Sequence, residues 1–128
     1  MKAGVFALAL LATLVLTPRS AYAVDGTTLY QNCHAFDKPQ PTELDQRGVQ
    51  FCVGYLMGAY EFIDIDSHRV TRAGKDVDPY EICFPEHIST QEIILVYMNY
   101  MKANPTMLHQ FAGLGVLNAF AGAYPCKK

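Results

Sequence analysis

The sequence predicts a small all-α domain of four helices, held together by two disulfides. Apolar residues recur every three or four positions through most of the chain, and helix-capping residues precede these stretches. No segment alternates with the period of two that a half-buried strand requires. The chain also combines four cysteines with a secretion signal, and oxidising compartments keep disulfides stable.

The first 23 residues have the pattern of a cleavable secretion signal. Lys2 gives a positive start, Val5 to Leu16 form an apolar run, and Ala21-Tyr22-Ala23 is a small-residue cleavage motif. The run is too short to span a bilayer, and no later stretch reaches about 18 apolar residues. We therefore expect residues 1–23 to be removed and residues 24–128 to form one soluble periplasmic domain.

The mature chain is acidic. Lys2 and Arg19 leave with the signal, so eight basic residues remain against twelve acidic ones. This balance argues against nucleic acid and anionic membranes as partners. A domain of this size buries only about two thirds of its chain surface. Two disulfides, each worth roughly 3–4 kcal/mol by loop closure, would therefore contribute a large share of its stability.

Two helices are predicted in the first half of the mature chain. Asp25 is the N-cap of a short first helix, which ends before Pro39. Thr42 caps a long second helix that runs from Glu43 to Asp66. The core-facing positions of this second helix are Cys52, Tyr55, Leu56, Ala59, Phe62 and Ile63.

Gly54 and Gly58 share one face of the second helix, because they lie four residues apart. Each lowers helix stability by about 1 kcal/mol relative to alanine. We therefore expect them to allow close approach of another helix, either within the chain or across a dimer interface.

The second half of the chain is predicted to hold a charged loop and two more helices. Ser67 to Tyr80 is the loop, with Gly74 and Pro79 inside it. Ser89 and Glu92 form the capping box of a third helix that ends at Asn104. Asn104 is expected to cap the fourth helix, with Pro105 at its first position and Gly122 at its end. We expect the apolar, small-residue face of this helix to pack within the chain, with a helix-mediated dimer as the less favoured alternative. This face consists of Leu108, Phe111, Ala112, Gly115, Ala119 and Gly122.

The four cysteines allow three pairings, and the predicted packing favours one of them. A hairpin of the third and fourth helices places Cys83 beside Cys126. Antiparallel first and second helices place Cys33 near Cys52. The predicted disulfides are therefore Cys33–Cys52 and Cys83–Cys126.

The chain lacks the spacing patterns of metal sites and catalytic centres. No two cysteines have the C-x2-C spacing of structural zinc or redox sites, and no G-x-S-x-G elbow is present. Asp64 and Asp66 are too close in sequence to share a helix face. We expect them to be solvated, or Asp64 to hydrogen-bond the loop that follows. The sequence therefore predicts no cofactor, no metal and no enzymatic activity.

Several motifs resemble the Rap/Tai-type family of amidase immunity proteins. The segment Phe51-Cys52-Val53-Gly54-Tyr55-Leu56-Met57-Gly58 is similar to its C-x-G-Y-x-x-G signature. The resemblance extends from about Gly26 to Cys126 and also rests on Cys83-Phe84-Pro85, Gln91 in the capped third helix, Asn104-Pro105 and Tyr124-Pro125-Cys126.

This resemblance implies a function in protein binding. Members of the family are small exported helical proteins that neutralise peptidoglycan amidases delivered by type VI secretion, commonly as dimers that block the amidase active site. The chain would then be a periplasmic inhibitor and a homodimer, with a cognate cell-wall amidase as its partner. The charged loop is the predicted contact, through Arg69, Arg72, Lys75, Asp76 and Tyr80.

Other interpretations remain open from the sequence. The loop from Ser67 to Tyr80 could be an ordinary solvated connection. The protein could also be a periplasmic stress chaperone resembling the acid-activated Hde type, since four histidines and an acidic balance permit a response to protonation. A weak enzyme or a metal carrier is the least favoured alternative.

Overall fold

The computed structural model describes residues 23–72 and 80–127, which form four α-helices. They are α1 (Gly26–His34), α2 (Glu43–Arg72), α3 (Thr90–Ala103) and α4 (Ala112–Ala123). Two 3₁₀ turns, Ala35–Asp37 and Pro105–His109, follow α1 and α3. The all-α fold class and the four helices are thereby confirmed. Within this described part, no helix is long and apolar enough to cross a bilayer.

The predicted caps set the starts of three helices. The Asp25 carboxylate accepts a hydrogen bond from the Thr28 amide at 2.7 Å. At the start of α2, the Thr42 hydroxyl accepts from the Asp45 amide, and the Asp45 carboxylate accepts from the Thr42 amide at 3.0 Å. Ser89 caps α3 through the Glu92 amide. Local sequence therefore determines where these helices begin.

The second helix is longer than predicted, because the segment Ser67 to Arg72 is helical rather than part of a loop. No glycine or proline occurs between Asp66 and Arg72, and arginine is a good helix former. Arg69 and Arg72 also place positive charge near the C-terminal end of the helix dipole, which is favourable. The charged residues that led to the loop prediction are thus compatible with a helix that continues for nearly two more turns.

The fourth helix starts later than predicted. Asn104 does not cap it; its side-chain amide donates to the Tyr100 carbonyl at 2.9 Å, and a 3₁₀ turn follows. Gln110 and Ala112 instead hydrogen-bond the backbone of Gly26 and Val24, which holds residues 110–112 beside the start of α1. This tertiary contact interrupts the helix. Gly122 is also not a cap, since it lies inside α4.

The core is built where α1 meets the other three helices. Its largest fully buried side chains come from all four helices and from the linker before α3. Cys33–Cys52 lies within this core and joins α1 to α2. The buried side chains include Leu29, Leu56, Ile82, Ile93, Ile94, Tyr97, Met101, Val116 and Phe120.

The second disulfide, Cys83–Cys126, joins the linker before α3 to the C-terminal end of the chain. An isolated β-bridge between Ile82 and Pro125 supports it, with the Cys83 amide donating to the Tyr124 carbonyl at 2.8 Å. Both predicted pairings are confirmed. The 43-residue separation of this pair exceeds the 19-residue separation of Cys33 and Cys52, so it closes the longer loop.

The glycines in close contact within the chain are not those predicted. Gly54 and Gly58 are exposed, and a Cβ built at either meets no atom of the described residues within 4 Å. Within the described residues neither glycine packs against another helix of the same chain, and the dimer alternative stays a prediction. A Cβ at Gly26 would lie 2.5 Å from the Met107 carbonyl oxygen, and one at Gly115 would lie 2.9 Å from the Met101 sulfur.

We predict opposite effects of alanine at Gly26 and Gly58. Gly26→Ala forces apart the backbone of α1 and of the 3₁₀ turn, and should lower the free energy of unfolding by about 1–3 kcal/mol. Gly58→Ala places a methyl group in open space on a helix. This variant should leave the free energy of unfolding unchanged or raise it by up to about 1 kcal/mol. Denaturant titration of both variants tests this, and equal destabilisation would contradict the packing described.

We also predict that the two disulfides differ in access to reductant. Cys33 and Cys52 are 1% and 0% exposed, whereas Cys83 is exposed and Cys126 is half-buried. Exchange requires approach of a thiolate, so low concentrations of dithiol should open Cys83–Cys126 first. Alkylation and peptide mapping over time measure the order. Labelling of all four cysteines at one rate would show that reduction requires global unfolding.

Candidate protein-docking surface

Most titratable side chains of the described residues lie at the surface. All four cysteines are in disulfides, and no buried polar or charged side chain occurs among the described residues. That part of the chain also contains no cluster of three or more metal-ligating side chains. The four histidines are exposed: His34, His68, His87 and His109. The described residues would therefore interact with a partner through their exposed surface.

Two carboxylates are engaged in helix caps. A hydrogen bond from Lys38, together with those from Thr42, lowers the pKa of Asp45 to about 2. Hydrogen bonds from Thr28 lower the pKa of Asp25 below its usual range. Both groups are ionised at neutral pH, and their stabilising contribution is lost only as the pH falls through these lowered values. Both carboxylates therefore stabilise helix starts as hydrogen-bond acceptors and do not serve as proton donors at neutral pH.

The predicted contact residues are only partly within the described structure. Arg69 is exposed on α2, and Arg72 is the last residue of that helix. Tyr80 is half-buried against the core cluster. Lys75 and Asp76 lie outside the described residues. Arg69 and Arg72 thus belong to the end of α2. The first six residues of the predicted loop are helical, and only the shorter segment after Arg72 lies between α2 and Tyr80.

The end of α2 follows its contact with the core. Ile63 is buried, and Asp64 to Arg69 are exposed or half-buried. At 1.5 Å per residue, the nine residues from Ile63 to Arg72 extend about 13 Å. This part of the helix carries the exposed Arg69.

An aromatic cluster fixes the linker before α3. The Phe84 ring lies 4.7 Å from Tyr60, 5.4 Å from Phe120 and 5.3 Å from Tyr124, measured between ring centroids. The Tyr124 hydroxyl donates to the Glu92 carboxylate at 3.0 Å. Burial and this bond raise the pKa of Tyr124. Linker residues near Phe84 are therefore anchored to the core independently of the disulfide.

The largest unexpected feature is an apolar stripe along one flank of α2. Phe62 is 63% exposed and Ile65 is 58% exposed, although Phe62 was predicted to lie in the core. Leu44 and Phe51 lie on the same flank at 78% and 41% exposure, with Gly54 and Gly58 between Phe51 and Phe62. From Phe51 to Ile65 these positions recur at three- and four-residue intervals and form one helical stripe. Leu44 lies seven residues before Phe51 on the same flank, with the exposed Arg47 between them.

The start of α4, which also exposes apolar side chains, contacts α2 at Tyr55. A Cβ at Gly113 would lie 3.6 Å from the Tyr55 hydroxyl, and the Tyr55 and Phe51 rings are 6.1 Å apart. Phe111 was also predicted to be buried, yet it is 68% exposed, and Leu114 is 43% exposed. We call this region the apolar surface and define it by Leu44, Phe51, Gly54, Gly58, Phe62, Ile65, Phe111 and Leu114.

The apolar surface is large for a small monomer. An aromatic side chain carries about 150–250 Å², so the exposed parts of its three phenylalanines amount to roughly 350 Å². The exposed leucines and isoleucine add a comparable area. A monomeric protein rarely exposes a contiguous apolar patch above about 300–600 Å², and larger patches mark interaction sites.

The sequence contained a signal for this surface. Apolar and small residues of α2 cover both the arc of Cys52, Leu56 and Ile63 and the adjacent arc of Phe51, Gly58 and Phe62. Together these arcs are wider than the roughly 100° that a helix normally buries against a core. Assigning Phe62 to the core overlooked this excess width.

A shallow groove lies near the start of α2, with a volume of about 320 Å³. None of its lining side chains is titratable, and only two are polar. It therefore offers shape and a few amide contacts but no catalytic chemistry. The lining residues are Ala35, Phe36, Pro41, Gln46, Val49 and Gln50.

Comparison with known proteins gives one match. The family model described as Rap1a immunity proteins matches residues 25–126, which include all four helices and both disulfides. No curated protein and no solved structure matches the chain significantly.

Proposed function

The chain belongs to the Rap1a immunity protein family, and we propose that it neutralises a peptidoglycan amidase of type VI secretion by occluding its active site. As a family member it is a non-enzymatic binder of a cognate effector. The amidase target and the occlusion mechanism are our proposal. The observation that carries it is the family match, which extends from the cap of α1 to the last cysteine.

The geometry of α2 supports occlusion. Its 30 residues span about 45 Å, and the residues described after Ile63, as far as Arg69, are exposed or half-buried. We take this end of the helix to enter the concave substrate groove, and a scaffold fixed by two disulfides loses little conformational entropy on binding. The proposed contact region is this helix end and the segment after it, with Arg69, Arg72, Lys75, Asp76 and Tyr80.

Export to the periplasm is part of the proposal. Two disulfides are consistent with an oxidising compartment, and the first 23 residues have the pattern of a secretion signal. An immunity protein must meet its effector where peptidoglycan is attacked. We therefore place the protein in the periplasm after cleavage behind Ala23, and we propose that it acts as a homodimer.

The chaperone alternative is supported by one observation, the exposed apolar surface. An acid-activated chaperone, however, must keep such a surface covered at neutral pH and open it on protonation. Here Phe62 and Phe111 are already exposed in the folded chain. Apolar-dye binding that rises steeply on acidification would nevertheless support that alternative.

We predict that removing positive charge from the α2 end weakens effector binding. The triple variant R69A/R72A/K75A should lose affinity for the cognate amidase, identified first by pull-down, on the order of tenfold at low salt, and less at high salt, because charge accelerates association. The matched control K102A/K127A/K128A removes the same charge elsewhere. Surface binding kinetics and inhibition of peptidoglycan hydrolysis provide the measurements.

The outcomes separate the two parts of the proposal. Absence of binding and inhibition by the wild-type protein would exclude the amidase as its target. Normal inhibition by the triple variant would exclude only the α2 end as the contact. Far-ultraviolet circular dichroism should be the same for all three proteins, since Arg69, Lys102 and Lys127 are exposed.

A further inference from the structure

We infer that the cognate effector docks along one flank of α2, where the apolar stripe ends at an arginine. The partner that fits this flank presents apolar side chains and, next to them, a carboxylate. The inference rests on the proposed function and deepens it, because it extends the contact from the end of α2 back to the middle of the helix. We call this region the α2 flank and define it by Phe51, Gly54, Gly58, Phe62, Ile65 and Arg69.

The residues of the α2 flank lie along one line on the helix. From Phe51 to Arg69 they follow one another at intervals of three or four residues, and the line extends about 27 Å. A standard interface buries about 800 Å² per partner, which corresponds to a square of about 28 Å on a side. The α2 flank thus has the length of a complete protein interface.

Two glycines form a notch in the middle of the α2 flank. No atom of the described residues lies within 4 Å of a Cβ built at Gly54 or Gly58. Phe51 and Phe62, which are 41% and 63% exposed, lie on either side of the notch, about 16 Å apart along the helix axis. An apolar side chain of a partner can enter between these rings and reach the helix backbone. Aromatic residues that border such a pocket often contribute most of the binding energy.

Arg69 supplies a positive charge at one end of the stripe. Its side chain is exposed, and it takes part in no ion pair within the described part of the chain. Arg47, near the start of the same helix, instead pairs with Glu43. Arginine binds carboxylates through two parallel hydrogen bonds, and it is enriched at protein interfaces. The partner is therefore expected to place a carboxylate beside the apolar side chains that contact Phe62.

The charges around the stripe disfavour two other occupants. A second copy paired antiparallel about Gly58 would bring Arg47 opposite Arg69, and like charges across an interface are unfavourable. The exposed Glu61 and the half-buried Asp66 border the stripe, so an anionic membrane would meet two carboxylates there. A second copy of the chain in the proposed homodimer would then use a different face.

The experiment measures binding of the mature protein to its effector, which is identified by pull-down and then purified separately. Phe62→Ala should weaken binding at least 30-fold at both low and high salt, because it removes apolar contact. Arg69→Ala should weaken binding about tenfold at low salt and less at high salt. Gly58→Leu fills the notch and should weaken binding at least tenfold.

Three controls make matching changes at exposed positions of α3 and α4, and all should bind like the wild type. They are Leu95→Ala, Lys102→Ala and Gly122→Leu. Circular dichroism and the thermal midpoint should show that every variant is folded, since each position is exposed. A photo-crosslinking residue should join the effector when placed at position 62 and should not when placed at position 95.

The failure of the inference can be distinguished from that of the proposed function. Binding that Phe62→Ala and Gly58→Leu retain would overturn the inference alone, even if Arg69→Ala weakens binding, because the contact would then be confined to the end of α2. An effector that is not an amidase would overturn the amidase target, while the same measurements still decide the inference. A wild-type protein that binds no effector would overturn both.

Two further results would assign the α2 flank to another occupant and overturn the inference. The first is a wild-type dimer, measured by light scattering, that Phe62→Ala converts into a monomer. The second is binding to phosphatidylglycerol vesicles that Phe62→Ala abolishes while effector binding stays unchanged.

Discussion

The fold depends on the contacts that hold the short helix α1 against the rest of the chain. Nine residues are too few to form a stable helix alone in water. Leu29 and Cys33 are buried, and the Cys33–Cys52 disulfide joins α1 to α2. At its other end, the Gly26 amide donates to the Gln110 carbonyl at 2.8 Å. Helix α1 is therefore held at both ends by the rest of the chain, and the disulfide fixes its contact with α2.

Interactions close in sequence were predictable, and those set by tertiary contact were not. Asp25 and Ser89 cap their helices as expected, because a cap needs only residues within one turn. Asn104 was expected to cap a helix, but the chain beyond it is drawn toward Gly26 and Val24 by backbone hydrogen bonds. Gly26 and Val24 lie more than 80 residues before Gln110 and Ala112 in the sequence, so no local sequence pattern predicts these hydrogen bonds.

The errors in burial have a different physical origin. Hydrophobic periodicity shows that Phe62 and Phe111 lie on apolar helix faces, but it does not show whether the same chain has a partner for each face. The disulfide pairing was easier to predict, since antiparallel helices bring only certain cysteines together. The contact residues at the end of α2 were predicted from charge alone, and charge does not distinguish a loop from a solvated helical turn.

The apolar stripe and Arg69 belong to one rigid helix. Gly58 and Arg69 are eleven residues apart, about 16 Å along the helix axis. Arg69 follows Ile65 by four residues, so it lies on the same flank of α2 as the stripe. A partner that lies along this flank would therefore meet apolar side chains and a positive charge together. The stripe and the arginine are thus two parts of one surface, and a binding contact at one of them bears on the other.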